Sequence, residues 1–176
     1  DSDLQIRAKP SMMNPAGGGP APGYQYNGHG DIKASQPASQ EVPAEFKKFL
    51  ENLLSVYFEI QQALSRDDLI SAQTHGEHLQ HRLSEIDMNL LAGTNHNKWV
   101  RIERNLKKTA SDFFAAKDIT AARTVFSKLS ESTYKILQQF ETPHHAAVYR
   151  FFCPMAFNNK GGYWLQKGKT VENPYF

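Results

Sequence analysis

The sequence predicts a mainly α-helical fold: a four-helix up-and-down bundle of two helical hairpins, followed by a small C-terminal β-hairpin and preceded by a flexible linker. Three observations predict it. From about Pro43 onward, large apolar side chains recur at spacings of three, four and seven residues. A short repeated segment opens two of the predicted helices. The C-terminal part then changes to β-forming residues separated by a glycine-containing turn.

The first part of the chain differs from the rest because it holds few large apolar side chains. Residues 1–9 alternate apolar and polar side chains, and we expect them to be the end of a preceding domain. Residues 10–42 are rich in proline and include three consecutive glycines. Such a segment cannot bury enough apolar area to offset the entropy cost of ordering it. We therefore predict a flexible linker over 10–42 and the helical domain over 43–176.

The apolar spacing predicts four helices, at about 43–64, 68–86, 96–116 and 118–140. Asp67 and Asp118 are the expected N-caps of the second and fourth helices. The predicted inward-facing stripes of the last three helices are Leu69, Ala72, Leu79, Leu83 and Ile86; Trp99, Ile102, Leu106, Ala110 and Phe113; and Ala122, Val125, Phe126, Leu129, Tyr134, Leu137 and Phe140.

Two further patterns complete the fold prediction. Residues 68–72 (DLISA) match residues 118–122 (DITAA), so each half of the bundle begins its second helix in the same way. Residues 148–152 (VYRFF) and 163–165 (YWL) favour strands, and 158–162 (NNKGG) is a turn signal. We expect this hairpin to cover one end of the bundle.

Composition and charge argue against several functions. The formal net charge is +2, and no basic stripe interleaved with aromatic residues is present, so nucleic-acid binding is not predicted. No apolar run approaches the ~20 residues of a membrane-spanning helix. The single cysteine, Cys153, excludes an internal disulfide. Because Pro154 follows it and no orienting acid is apparent, a catalytic thiolate, and with it an enzyme, is not predicted.

The segment Cys153-Pro154-Met155 is the sharpest local feature. Thiolate and thioether are soft donors that suit Cu(I) or Ag(I). In an extended segment, side chains two positions apart point to the same side, so the two sulfurs form half of a metal site. Two ligands do not complete one, and cysteine and methionine are also common core residues, so a purely structural role stays open.

The histidines offer weaker candidates. His75, His78 and His81 follow one another at three-residue spacing on the second predicted helix, where adjacent pairs can share a face. No carboxylate in the sequence completes a familiar ligand pattern with them, so a solvated helix surface is the favoured interpretation. His144 and His145 precede the hairpin and are interpreted as exposed loop residues.

Three stretches resemble a known family. Residues 1–15 (DSDLQIRAKPSMMNP) resemble the C-terminal end of the periplasmic adaptor, or membrane-fusion, subunit of heavy-metal efflux pumps of the resistance–nodulation–division type, as in the Cus and Czc systems. Residues 85–99 (EIDMNLLAGTNHNKW) and 149–176, which contain CPMAF, WLQ and NPYF, resemble a helical domain of unknown function. That domain is appended to such adaptors or occurs as a separate periplasmic protein.

The resemblance implies a function and a site. The chain would be the accessory domain of a metal-efflux adaptor in the periplasm of a Gram-negative cell, with the pump and adaptor subunits as partners and the membrane reached only through the rest of the adaptor. It would bind Cu(I) or Ag(I) and pass the ion to the pump. The implied metal ligands are Met88, His96, Cys153 and Met155. In the family a second cysteine follows NPYF, whereas this sequence stops at Phe176. The alternative is a structural or protein-interaction module of the same assembly, without a metal site.

Overall fold

A computed structural model describes residues 41–140, 142 and 147–176. Within these ranges the fold is mainly helical, with four long helices and a two-stranded antiparallel C-terminal hairpin, as predicted. The predictions made for residues 1–40, and for His144 and His145, lie outside the described residues.

The bundle consists of α1 (Ala44–Ser65), α2 (Leu69–Ser84), α3 (Gly93–Phe114) and α4 (Ile119–Gln139). Short connections make consecutive helices antiparallel neighbours, and α4 closes the bundle against α1. A single 3-10 turn, Met88–Leu90, lies in the connection between α2 and α3. None of the helices in the described ranges is long and apolar enough to cross a bilayer.

The helix starts explain the internal repeat. Asp68 and Asp118 occupy the same position in the two repeated segments, and each side chain accepts a hydrogen bond from a backbone N–H three residues later, at 2.9 and 2.7 Å. The prediction that Asp67 caps α2 was therefore wrong by one residue. Asp67 instead has a left-handed backbone (φ 58°) and pairs with Arg123 at 2.6 Å. The third helix begins at Gly93, three residues before the predicted start.

The core is built from the predicted stripes. Nearly all of their residues are buried, and the remaining few, Leu69, Ile86, Tyr134 and Leu137, are partly buried against it. At one end of the bundle an aromatic cluster closes the core, where the ring of Phe46 lies 5.1 Å from that of Trp99 and 5.3 Å from that of Phe140. Apolar burial of this kind is what stabilises helices whose own propensity is modest.

The hairpin pairs β1 (Val148–Cys153) with β2 (Gly162–Lys167), and its register runs from Val148 opposite Lys167 to Cys153 opposite Gly162. The connection contains the short helical turn Ala156–Asn159, in which three consecutive residues from Phe157 are left-handed, with φ of 55°, 56° and 64°. The chain then passes through Gly161, whose φ is 82°. Asparagine and glycine are the residues that adopt the left-handed conformation most readily. This is why residues 158–162 (NNKGG) correctly predicted a turn.

The position of the hairpin differs from the prediction. It lies against the middle of α1 and α4 and does not cover an end of the bundle. The backbone N–H of Leu165 donates to the Tyr57 hydroxyl at 2.9 Å, and the Lys167 ammonium lies 4.8 Å from the centre of the Phe58 ring. Polar groups halfway along the helices provide this attachment, and helical periodicity alone does not reveal them.

Candidate functional site

Cys153 and Met155, which the sequence placed on one side of an extended segment, face different surroundings. Cys153 ends β1 and is buried in the hydrophobic core, whereas the Met155 side chain is 63 % exposed. The cause is local: Met155 has left the strand and adopts helical angles (φ −84°, ψ −14°), so the alternation of an extended chain no longer applies to it.

Met88 and His96 lie at the opposite end of the bundle from Met155. Met155 borders a cleft with Thr120 and Thr124, at the start of α4. His96 is in the first turn of α3, whose neighbouring residues face Lys135 and Gln139 near the end of α4. About fifteen residues of α4 separate the two places, which is about 22 Å at the ~1.5 Å rise of an α-helix.

The four residues Met88, His96, Cys153 and Met155 therefore do not meet in one coordination sphere. A Cu(I) or Ag(I) ion needs its ligand atoms within a few ångströms of one another, and a gap of about 22 Å is far outside that reach. The physical reason is the up-and-down topology, which puts the connection between α2 and α3 at one end of the bundle and the CPM segment beside the other.

The hairpin is held on the bundle by a buried hydroxyl. Tyr57 is fully buried at the middle of α1, and its hydroxyl lies 2.9 Å from Ser130 Oγ on α4 while accepting the N–H of Leu165 on β2. Burial raises the pKa of the Tyr57 phenol, and the two hydrogen bonds offset part of that effect. One side chain thus joins two helices to the hairpin as a neutral group.

The segment after β2 is also fixed to the helices. Gln61 donates to the backbone carbonyl of Glu172 at 2.7 Å, and Arg123 Nε donates to that of Pro174 at 2.8 Å. The hydroxyl of Tyr175 then donates to the carbonyl of Tyr163 at 2.7 Å. The NPYF motif noted in the sequence therefore anchors the chain to the hairpin and to α4.

A stack of four side chains lies on the surface where the hairpin meets α4. Phe152 and Tyr163 face each other across the strands with ring centres 4.5 Å apart. The Arg150 guanidinium lies between two tyrosine rings, 4.0 Å from the centre of Tyr163 and 4.1 Å from that of Tyr134. We call Phe152, Tyr163, Arg150 and Tyr134 the hairpin patch.

The hairpin patch borders a cleft of about 480 Å³ whose α4 side carries Glu131, Lys135 and Gln138. Phe152 and Tyr163 are each 48 % exposed. Met155 and Phe176 are also exposed apolar residues, but they line a second cleft at the start of α4. This surface was not predicted from the sequence. Its signal was present as the two-residue spacing of Arg150 and Phe152 in a strand, which places both side chains on the same face.

Comparison with known proteins places the chain in one family. The model of the family described as "Protein of unknown function (DUF3347)" matches residues 53–145, just over half of the sequence, from the middle of α1 to the end of α4 and beyond. No curated protein and no solved structure matches the chain. On the strength of the family match, the chain belongs to the DUF3347 family.

Proposed function

We propose that the chain is a non-enzymatic accessory domain of a heavy-metal efflux assembly in the periplasm of a Gram-negative cell. In this proposal it acts as a protein-interaction module and docks through the hairpin patch on the adaptor subunit of a resistance–nodulation–division pump. The choice of partner comes from residues 1–15, which resemble the C-terminal end of such an adaptor and would tether the domain beside it.

The hairpin patch is the observation that carries this proposal. Aromatic and arginine side chains are the residues most often found at the energetic centres of protein interfaces. In the patch a tyrosine on each side already holds the guanidinium in place, so little side-chain entropy remains to be lost on binding. Five of the seven large apolar side chains that are exposed in the described residues belong to the hairpin or the segment after it: Phe152, Met155, Tyr163, Val171 and Phe176.

Transfer of Cu(I) or Ag(I) through Met88, His96, Cys153 and Met155 is less well supported, because the bundle keeps the first two apart from the last two. Cys153 is in addition buried, which hinders the ligand exchange that transfer requires. The interaction module is the function that this geometry favours.

The test is binding of the full chain to the purified adaptor and pump of a heavy-metal efflux system from the same cell, measured by biolayer interferometry. The double variant Phe152→Ser, Tyr163→Ser should weaken binding at least tenfold. The matched control is Ile70→Ser, Phe114→Ser, which removes two apolar side chains that are 77 % and 67 % exposed elsewhere on the bundle. Circular dichroism checks that both variants are folded.

Equal loss of binding in both double variants would mean that nonspecific association of exposed apolar side chains, and not the hairpin patch, is responsible for the binding. If the wild-type chain does not bind either subunit, the proposed function is incorrect.

A further inference from the structure

Three metal-ligating side chains meet on the surface formed by α1 and α2. Glu59 comes from α1, and His75 and His78 come from α2. One potential ligand atom of each residue lies within 4.8 Å of the other two. In the part of the chain that the structure describes, this is the one group of three or more histidine, cysteine or acidic side chains that meets this distance.

The helices bring these residues together for a simple geometric reason. His75 and His78 are one turn apart on α2, which puts them on the same face, and their rings lie edge to face with centres 5.7 Å apart. Glu59 belongs to an exposed stripe of the antiparallel neighbour α1, together with Asn52 and Ser55. Asn52, Ser55 and Glu59 line one cleft with His78 and His81, so the group is open to solvent on one side.

One atom of the group lacks the partner that a buried polar atom normally has. Nδ1 of His75 is buried and has no hydrogen bond among the described residues. It nevertheless lies 3.2 Å from Oε2 of Glu59. This distance is within the range of an ion pair, but the angles at the two atoms are not those of a hydrogen bond. The nitrogen and the carboxylate are therefore adjacent without being hydrogen-bonded to each other.

The 3.2 Å separation of His75 Nδ1 and Glu59 Oε2 is close to the distance expected between two ligands of the same ion. Zn²⁺ binds imidazole nitrogen and carboxylate oxygen at ~2.0–2.2 Å in tetrahedral geometry, which puts neighbouring ligand atoms about 3.3–3.5 Å apart. His78 is exposed, so its ring can rotate to close the remaining distance. Two histidines and one glutamate form a ligand set known for Zn²⁺, with the fourth position left to water or another exchangeable ligand.

We propose that Glu59, His75 and His78 form a binding site for a divalent transition-metal ion of the Zn²⁺ class. Glu59 supplies a carboxylate oxygen, His75 supplies Nδ1 and His78 supplies an imidazole nitrogen. Imidazole and carboxylate donors suit Zn²⁺, Ni²⁺ and Cu²⁺, whereas Cu(I) and Ag(I) prefer sulfur. The site is thus distinct in place and in metal class from the sulfur ligands that the sequence suggested, and it does not depend on docking through the hairpin patch.

The neighbouring charges are compatible with a bound cation. Arg82 lies in the same cleft, but its guanidinium is paired with Glu85 at 3.1 Å. His81 also lies near Glu85, with Nδ1 3.3 Å from a carboxylate oxygen, and it is not in the group of three. His81 therefore provides a control at the same spacing on the same helix.

The test is a titration of the metal-free full chain with ZnCl₂ in competition with a chromophoric chelator. We expect one equivalent of Zn²⁺ to bind. Glu59→Gln, His75→Ala and His78→Ala should each weaken binding at least tenfold, and His81→Ala less than twofold. As a second measurement, Zn²⁺ should raise the Tm of the wild-type chain and of His81→Ala but not of Glu59→Gln, because an ion that binds only the folded state stabilises it.

Co²⁺ substitution adds a spectroscopic check, since the visible absorption of tetrahedral Co²⁺ should disappear in each of the three ligand variants. The proposal is overturned if the wild-type chain does not compete for Zn²⁺, if binding survives all three ligand substitutions, or if His81→Ala abolishes it equally.

Discussion

Gly76 lies in the interior of α2, where glycine normally weakens a helix by about 1 kcal/mol relative to alanine. Glycine is tolerated here because it has no side chain. A Cβ atom at this position would be 2.8 Å from Cβ of Phe113 on α3, and both atoms are fixed to their backbones. The glycine thus allows α2 and α3 to approach closely.

We predict that Gly76→Ala destabilises the domain by about 1–2 kcal/mol, because the clash with Phe113 outweighs the gain in helix propensity. The measurement is chemical unfolding followed by circular dichroism. Glu77→Ala, at the next and exposed position, is the control and should change stability little. If Gly76→Ala stabilised the chain, the close contact between α2 and α3 would be disproved.

At the same scale, the candidate site shows which residue properties a sequence reveals. Cys153 and Met155 are close in sequence, yet a single change of backbone angles at Met155 separates their environments. The histidines of α2 were recognised as sharing a face, but their carboxylate partner, Glu59, is on another helix. Its contribution depends on which faces of α1 and α2 pack together, and the spacing within one helix does not contain that information.

Among the elements, the two repeated helix starts are the clearest link from sequence to structure. Asp68 and Asp118 each satisfy a backbone N–H in the first turn that no carbonyl of the helix can reach. Hydrogen bonds from Ser71 lower the pKa of Asp68, so this cap is retained in mildly acidic solution and weakens only as the pH falls towards that lowered value.

For α4 we predict that Asp118→Ala lowers the free energy of unfolding by about 0.5–2 kcal/mol, the usual cost of removing an N-cap. Asp118→Asn keeps an oxygen acceptor and should retain most of the stability. Urea unfolding of the two variants side by side provides the comparison. Equal losses in both would indicate that the charge of Asp118, and not its hydrogen bond to Ala121, stabilises the helix.

The helices themselves were predictable because burial imposes a period of 3.6 residues over long segments. Their exact starts were less so: Asp67 and Asp68 are both good caps, and the choice between them depends on the left-handed backbone of Asp67 and its pairing with Arg123. The strands could be predicted from their runs of β-forming residues. The surface on which the hairpin packs could not, because it depends on hydrogen bonds of Tyr57 and Ser130 that the apolar spacing of a helix does not reveal.

For the molecule as a whole, two buried phenols make the free energy of unfolding depend on pH in alkaline solution. Burial raises the pKa of Tyr57 and of Tyr175 above the value of about 10 that tyrosine has in an unfolded chain. Below pH 10 both states keep these protons, so the two groups cause no pH dependence. Above pH 10 the unfolded chain releases protons that the folded chain retains, and stability must fall as the pH rises.

We predict that unfolding free energy falls with a slope of about 1.4 kcal/mol per pH unit for each of these phenols above pH 10. Tyr57→Phe should remove one such contribution. At neutral pH the same substitution should cost about 1–3 kcal/mol, because the N–H of Leu165 is left without its acceptor. Urea unfolding of both proteins at pH 7 and pH 11 tests this, and parallel pH profiles would contradict it.

The contact between Tyr57 and β2 also has a consequence for how the chain folds as it is made. Its two partners are 108 positions apart, whereas each helix touches the next one along the chain. On the ribosome α1 to α4 can therefore assemble as they emerge, whereas the phenol of Tyr57 gains its partner on β2 only after all four helices have been synthesised. We therefore expect the hydrogen bond between the Leu165 N–H and the Tyr57 hydroxyl to form after the helices have packed.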